Sequence, residues 1–262
     1  MSIHPTAIVH SSAELAEDVE VQAFSIIDEH VRIAAGTVVG PHCVITGRTV
    51  IGKNNRFYSG AQIGILSQDL KHKPGLIGYT RIGDGNLFRE FVTISASTLE
   101  DSQDEDRLTS IGDHCLFMAC THVGHDCRVG NHVIMANCSA LSGHVQVCDY
   151  VTLGGLAGVH QFCRIGAQAF IGGMSRISMD VPPYMIAEGH PARCYGPNVV
   201  GLKRHGVDKD ARTNIKTMYR LLYRSGLNTS QALEEIKKSV PETPERETLL
   251  SFVLSSTRGI LK

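Results

Sequence analysis

From Ile3 onward, every sixth residue is apolar: Val9, Leu15, Val21, Ile27, Ile33, Val39, Ile45, Ile51, Phe57 and Ile63 hold one unbroken register. The register resumes at Ile82, Phe88 and Ile94. It returns at Ile111 and runs through Phe117, Val123, Val129, Met135, Leu141, Val147, Leu153, Val159, Ile165 and Ile171 to Ile177. Four residues after each member of that last run stands a small one: Cys115, Thr121, Cys127, Val133, Ser139 and so on to Val181. A period of six does not keep to one face of a helix with 3.6 residues per turn. It suits short strands joined by tight turns, with the aliphatic residue pointing into a narrow prism and a small one fitting beside it. Three such units close one coil, so residue i lies over i+18 at about one strand spacing, ~4.8 Å. A single coil cannot bury its own interior, and stability comes from stacking many. The expected fold is mainly β, a parallel β-helix over residues 1–190.

Two stretches leave the register. One covers residues 67–81 (SQDLKHKPGLIGYTR) and the other residues 97–110 (STLEDSQDEDRLTS), the latter strongly acidic. A regular solenoid gains nothing from excursions, so they are candidate binding loops. After Ile177, Pro182 and Pro183 are expected to stop the coil. From Asp208 the period becomes helical, with Ile215, Met218, Tyr219 and Leu222 on one face and Gly226 as a stop. Further helices are expected over 230–240 and 244–254. Residues 191–262 therefore read as a small α-helical C-terminal domain.

Composition excludes several classes. A formal net charge of −1 over 262 residues gives no bulk attraction to nucleic acid or to an anionic membrane. No apolar run approaches the roughly 20 residues that span a bilayer, and the N-terminus lacks the basic start and apolar core of an export signal. A soluble, cytoplasmic protein without membrane insertion is expected. The eight cysteines form no CxxC pair. Four of them, Cys43, Cys115, Cys127 and Cys163, fall on the small-residue position, which reads as reduced, structural thiols.

Chemistry concentrates in the histidines. The period of eighteen puts His125, Gly143 and Gln161 in one column and His144 over Asp126 in the next. A bare glycine between a histidine and a glutamine leaves a slot with an exposed N–H. Imidazole titrates near neutrality and can take a proton from an attacking hydroxyl. The N–H can hold the oxyanion of a tetrahedral intermediate, and losing such a donor costs roughly 3–4 kcal/mol. Asp126 is placed to orient the imidazole, although neighbours on a strand point to opposite faces. The competing reading is a three-histidine zinc site of the carbonic anhydrase kind, or an inactive scaffold; against it, Gly143 and Gln161 are not zinc ligands.

Longer motifs carry a resemblance. HVGHDCRVGN at 122–131, LSGHV at 141–145, GVHQFCRIG at 158–166, DVPPYMIAEGHPA at 180–192, NVVGLKRHG at 198–206, SQDLK at 67–71 and STRG at 256–259 resemble the UDP-N-acetylglucosamine O-acyltransferase family of hexapeptide-repeat enzymes. The resemblance implies a left-handed β-helix and a homotrimer with sites in clefts between subunits. It implies transfer of a 3-hydroxyacyl group from acyl carrier protein to the 3-hydroxyl of the sugar nucleotide, the first step of lipid A synthesis. No cofactor is implied beyond the phosphopantetheine that carries the donor, and no metal. His125 would be the base, Gly143 the oxyanion donor, and Asp69, Lys71, His122, His144, Gln161, Asn198 and Arg204 the sugar-nucleotide ligands. Gly173 would rule acyl length, leaving room for a long chain. The sequence departs from the family at Ser95-Ala96-Ser97-Thr98, where His-Arg-Gly-Thr is usual, at 77–80, at Val200 and at His205. Those departures leave open a relative that acts on another, amino-bearing sugar nucleotide.

Overall fold

The computed structural model describes residues 1–73, 75–98 and 108–262. Its body is a three-sided parallel β-helix. Strands mostly of two residues line up in three sheets of eleven, nine and eight strands, each strand pairing with the one a full coil away. The apolar register sets the pairing: Val9 lies beside Ile27, Ile27 beside Ile45, and Leu141 beside Val159. The core track survives the two excursions, with one register shift between Ile63 and Ile65 where the first begins. Ile51 pairs with Ile82 and Ile82 with Ile111, so the core register carries on past both excursions. The acidic stretch was expected to be a loop over 97–110; its residues 99–107, and Pro74 in the first loop, lie outside the described residues.

Inside the prism the six-residue track is buried almost without exception, from Val21 to Ile177. Phe57, Phe88 and Phe117 sit one above another with ring centroids 4.7 and 5.0 Å apart. Burying each such side chain contributes about 2–3 kcal/mol. The lowest coil has no coil beneath it, so Ile3 remains exposed and Val9 and Leu15 are only partly buried, as the end of a solenoid requires. The second track is chemically more specific than its size suggests. Ser25, Thr37, Cys43, Cys115 and Cys127 each donate to the carbonyl fifteen residues on, with Ser25 Oγ 2.6 Å from Gly40 O and Cys127 Sγ 3.0 Å from Ser142 O. A small residue with one donor satisfies a corner carbonyl that alanine would leave to itself.

Above the first coil, the typical corner is a two-residue turn whose second member is left-handed; Asp126 has φ 58° and His144 φ 61°. At most of these corners its N–H bonds to the carbonyl of the first corner residue one coil below, as His144 does to His125 at 2.9 Å. Corner side chains therefore stack in columns.

The coil does not stop at Pro182 and Pro183. The prolines occupy a corner, after which Met185–Gly189 rejoins the first sheet beside Phe170 and Ile171. Ala192–Pro197 then returns antiparallel to it. The boundary expected after residue 190 thus falls inside a β-hairpin, because an X-Pro-closed turn can end in another strand as well as in a helix. Four helices follow: α1 (Val199–Arg204), α2 (Lys209–Tyr223), α3 (Thr229–Ser239) and α4 (Pro244–Leu254). Asp208, Asn228 and Thr243 cap the last three, with Gln231 closing a capping box on α3. Ile215, Met218 and Leu222 of α2 are buried, and Gly226 follows at φ 76°. The helical domain is clasped to the coil at Asp180, which is 1% exposed. Arg164 Nε lies 3.1 Å from its carboxylate, and Ser256 Oγ donates to it at 2.8 Å. Backbone bonds join Asp180 to Gly259 and Leu261. The STRG stretch is therefore a structural latch.

Candidate functional site

The site lies on the corner where the second sheet turns into the third. His125 and Asp126 form that corner after His122–Val123, Gly143 and His144 form it after Ala140–Leu141, and Gln161 and Phe162 form it after Gly158–Val159. Pairing of His122 with Ala140, and of Ala140 with Gly158, sets the vertical register. The His125 ring lies over Gly143 so closely that a Cβ there would come within 2.5 Å of Cε1 and Nε2. Only glycine leaves that space. The Gly143 N–H donates to none of the described residues, while its carbonyl accepts from Phe162 N–H at 3.2 Å. Gln161 is exposed at the top of the column.

Asp126 holds the imidazole. Its Oδ2 accepts from His125 Nδ1 at 2.7 Å, which leaves Nε2 as the basic nitrogen. Strand alternation had set these two side chains on opposite faces; they are corner residues instead, and the left-handed turn at Asp126 swings its carboxylate to the same side. Thr98 fixes the carboxylate in turn, with its N–H 3.1 Å from Oδ1 and its hydroxyl 2.8 Å from Oδ2. The Asp126 N–H donates to the buried Thr109 hydroxyl at 2.8 Å. Burial alone would push the Asp126 carboxyl up; the hydrogen bonds from His125 and Thr98 outweigh it and hold the group below the usual carboxylate range.

Around this pair stand the other histidines. His144 Nε2 lies 3.6 Å from Asp126 Oδ2, and its ring meets His125 edge-on at 5.1 Å and stacks on Phe162 at 4.6 Å. His122 points outward from the second sheet, with Nδ1 bonded to Thr93 Oγ1 at 2.8 Å. Burial, then the proximity of His125, lowers its pKa, so His122 favours the neutral form. The first loop brings in Asp69, whose Oδ2 is 3.9 Å from His125 Nε2. Lys71 closes a turn on it, its N–H donating to Asp69 Oδ1 at 2.9 Å while its side chain is exposed.

Three expected residues are elsewhere in the chain. Asn198 caps α1, accepting from Gly201 N–H at 3.0 Å and donating to Gln168 O at 2.9 Å. His205, next to Arg204, packs its ring on Tyr150 at 4.8 Å. Both contacts belong to the corner between the third and first sheets, so within one chain Asn198 and Arg204 stand on a different edge from His125. Gly173 occupies the edge between the first and second sheets, where a Cβ would lie 3.2 Å from Gly155 O. Stacking arithmetic places residues on edges only within the coil; it could not locate α1, nor could it have found Thr98, which reaches Asp126 from the start of a loop. Thr93 was within reach of the arithmetic, since it pairs with His122.

His125, Asp126 and His144 offer ligand atoms within 4.8 Å of one another. Yet His125 Nδ1 and Asp126 Oδ2 are 2.7 Å apart, shorter than the ~3.3 Å edge of a tetrahedral zinc shell. The pair is arranged as a hydrogen bond. The geometry is that of a base with an orienting carboxylate, a backbone donor close to its ring that bonds none of the described residues, and polar side chains around the opening.

Comparison with known proteins identifies the family. Residues 180–261 match the model of UDP-N-acetylglucosamine O-acyltransferase, domain 2, and residues 108–143 that of the bacterial transferase hexapeptide, six repeats. An acyl-[acyl-carrier-protein]--UDP-N-acetylglucosamine O-acyltransferase of Ectopseudomonas mendocina is 48% identical over 261 residues, covering 100% of this chain and 99% of its own. One from Pseudomonas entomophila is 46% identical with the same coverage. The crystal structure of UDP-N-acetylglucosamine O-acyltransferase from Moraxella catarrhalis superposes with a TM-score of 0.94 at 39% identity, covering 100% of both chains. Full-length likeness at these identities carries the fold, a left-handed parallel β-helix with a helical C-terminal domain, and the chain belongs to the UDP-N-acetylglucosamine O-acyltransferase family.

Proposed function

We propose that the protein transfers a long 3-hydroxyacyl group from acyl carrier protein to the 3-hydroxyl of UDP-N-acetylglucosamine, the entry to lipid A synthesis, with His125 as general base. The observation that carries the mechanism is the His125 ring, pinned through Nδ1 to Asp126 with Nε2 facing the slot above Gly143. Nε2 takes the proton of the sugar hydroxyl as that oxygen attacks the thioester carbonyl. The tetrahedral oxyanion is met by the Gly143 N–H, a donor already in place and without another acceptor among the described residues, which needs no reorganisation at the moment of reaction. Collapse expels the phosphopantetheine thiolate, and imidazolium His125 returns the proton to it. Asp126 stabilises the imidazolium without taking its proton, which its low pKa favours. Attack is direct, and no acyl-cysteine is needed.

His122, His144, Asp69 and Lys71 line the opening around His125 and bind the sugar nucleotide, with Gln161 above. Asn198 and Arg204 complete it from a second copy of the chain. Their position on another edge of the prism supports a homotrimer in which each site is shared. Arg204 suits the diphosphate, given its fixed fork of donors. For the acyl chain, the outward residues of the second sheet dwindle from His122 to Ala140 to Gly158, and this trough leads toward Gly155 and Gly173. A Cβ at Gly158 would meet nothing within 4 Å, so the floor is open. Gly173 is the ruler: Gly173→Met should shift preference to shorter donors. Among the described residues no helix is long and apolar enough to cross a membrane, which supports the proposed cytoplasmic location.

Mass spectrometry of the product formed from UDP-N-acetylglucosamine and a mixture of acylated carrier proteins tests the reading. The expected product is a mono-3-hydroxyacyl ester of the sugar nucleotide with a long chain. An amide made only from an amino-sugar acceptor, or no product, would overturn it.

A further inference from the structure

All eight cysteines are free, and they divide sharply by position. Cys43, Cys115, Cys127, Cys163 and Cys194 are buried, and burial pushes their thiols up to about 11 or 12, so they are poor nucleophiles near neutrality. Cys120, Cys138 and Cys148 are exposed. Two of these three, Cys120 and Cys138, stand one coil apart on the same edge, between the first and second sheets. Both are left-handed corner residues, with φ 61° and 60°, and the Cys138 N–H bonds to Ala119 O at 3.0 Å, seating one turn directly on the other.

Side chains stacked at corners run parallel and close. On this same edge the Phe24 and His42 rings are 5.1 Å apart and 19° from parallel; at another, His132 and Tyr150 are 4.6 Å apart. The coil spacing of ~4.8 Å lies within the Cα separation that a disulfide accepts, about 4.4–6.8 Å. The Cβ separation wanted, roughly 3.5–4.5 Å, is somewhat less, so the two turns must draw together by a few tenths of an ångström or more. A bond closed under that strain is easily reduced. Phe91 precedes the pair in the column and Leu156 follows it, both exposed apolar residues, so within this column each thiol has the other as its one polar neighbour.

We infer that Cys120 and Cys138 form a reversible redox pair that closes an intrachain disulfide across adjacent coils when the protein meets a peroxide. One thiolate attacks a peroxide oxygen, giving a sulfenic acid and releasing water; the second thiol displaces hydroxide from that sulfur, forming the S–S bond and a second water. Peroxide is reduced and two thiols are oxidised. The pair lies on the same rungs as His122 and Ala140, two residues before each. Oxidation therefore marks the edge of the catalytic face without touching the residues that act on substrate.

The full-length protein treated with a small excess of hydrogen peroxide, quenched, alkylated with iodoacetamide and mapped by tryptic mass spectrometry tests this. The expected result is a Cys120–Cys138 cross-linked peptide lacking two hydrogens, Cys148 still alkylated, and full return of both thiols with dithiothreitol. Cys120→Ser and Cys138→Ser, near-isosteric and at exposed positions, should each abolish the cross-link, leaving the remaining thiol as a sulfenic or sulfinic acid. Independent oxidation of both thiols in the unsubstituted protein, absence of reaction at either, or a cross-link between two chains would overturn the inference.

Discussion

In the proposed mechanism the His125–Asp126 pair is the smallest unit on which activity depends, and its behaviour follows from three contacts. Asp126→Asn keeps the shape but replaces the acceptor that fixes the Nδ1 proton, so kcat should fall by roughly 10²–10⁴ with little change in KM; steady-state kinetics check this. Gly143→Ala would bring a methyl to within 2.5 Å of the His125 ring. Displacement of the ring, with the added methyl crowding the space beside the Gly143 N–H, should cost about 10²–10³ in kcat, with the melting temperature nearly unchanged because the slot faces outward. Protonation adds a stability effect. Asp126 has a folded-state pKa below its unfolded value, so its contribution is present above the ordinary carboxylate range near ~3.9 and is lost as pH falls through the lower folded value. His122 is also depressed, so the unfolded chain binds its proton first, and stability declines as pH falls below about 6.5 toward the lower folded value. Urea midpoints measured from pH 7 to 5 should fall with acid, and His122→Gln should flatten the upper part of that slope. At this scale the sequence was informative about columns: His125 over Gly143, and His144 over Asp126, follow from the period alone. It was silent on Thr98, because a residue that reaches a corner from an inserted loop obeys no period.

Strands of two residues have no stability alone; what holds them is the track that runs between coils. Phe88 is sandwiched by Phe57 and Phe117, so Phe88→Ala should cost ~3–5 kcal/mol by opening a cavity in a stack that cannot collapse sideways. The latch between coil and helices is as exacting. Asp180, buried with Arg164 and Ser256 on its carboxylate, should cost about 3–5 kcal/mol when changed to Ala, since Arg164 is then left half-buried without its partner. Chemical denaturation of each variant checks both. The element pattern was readable wherever one period ruled: six for the coil, 3.6 for α2 to α4. It failed between the two regimes, at Met185–Gly189 and Ala192–Pro197, where alternation is too short to show and two prolines read as a stop. The helix α1 was missed for the same reason of length.

A single chain carries the proposed base on one edge of its prism and the α1 residues proposed to bind the diphosphate on another, and that separation is the strongest argument for a shared site. Mixed assemblies make it testable. Copies with His125→Ala and copies with Arg204→Ala should each be nearly inactive alone, yet regain a fraction of activity when refolded or co-expressed together, because one interface in the mixture then joins an intact base to an intact arginine. Activity that never exceeds the sum of the two parents would place both residues in one chain's own site. The motif content of residues 122–131 and 198–206 pointed to this family from sequence, but edges of a prism are relations in three dimensions, and only the structure separates them.

The most direct test is the single-turnover rate of acyl transfer to UDP-N-acetylglucosamine, with enzyme in excess over acylated carrier protein, for the unsubstituted protein and for His125→Ala. A fall of roughly 10²–10⁴ in the chemical step, with the folded state retained, is predicted. A rate within a few-fold of the unsubstituted protein would contradict the assignment of His125 as the base.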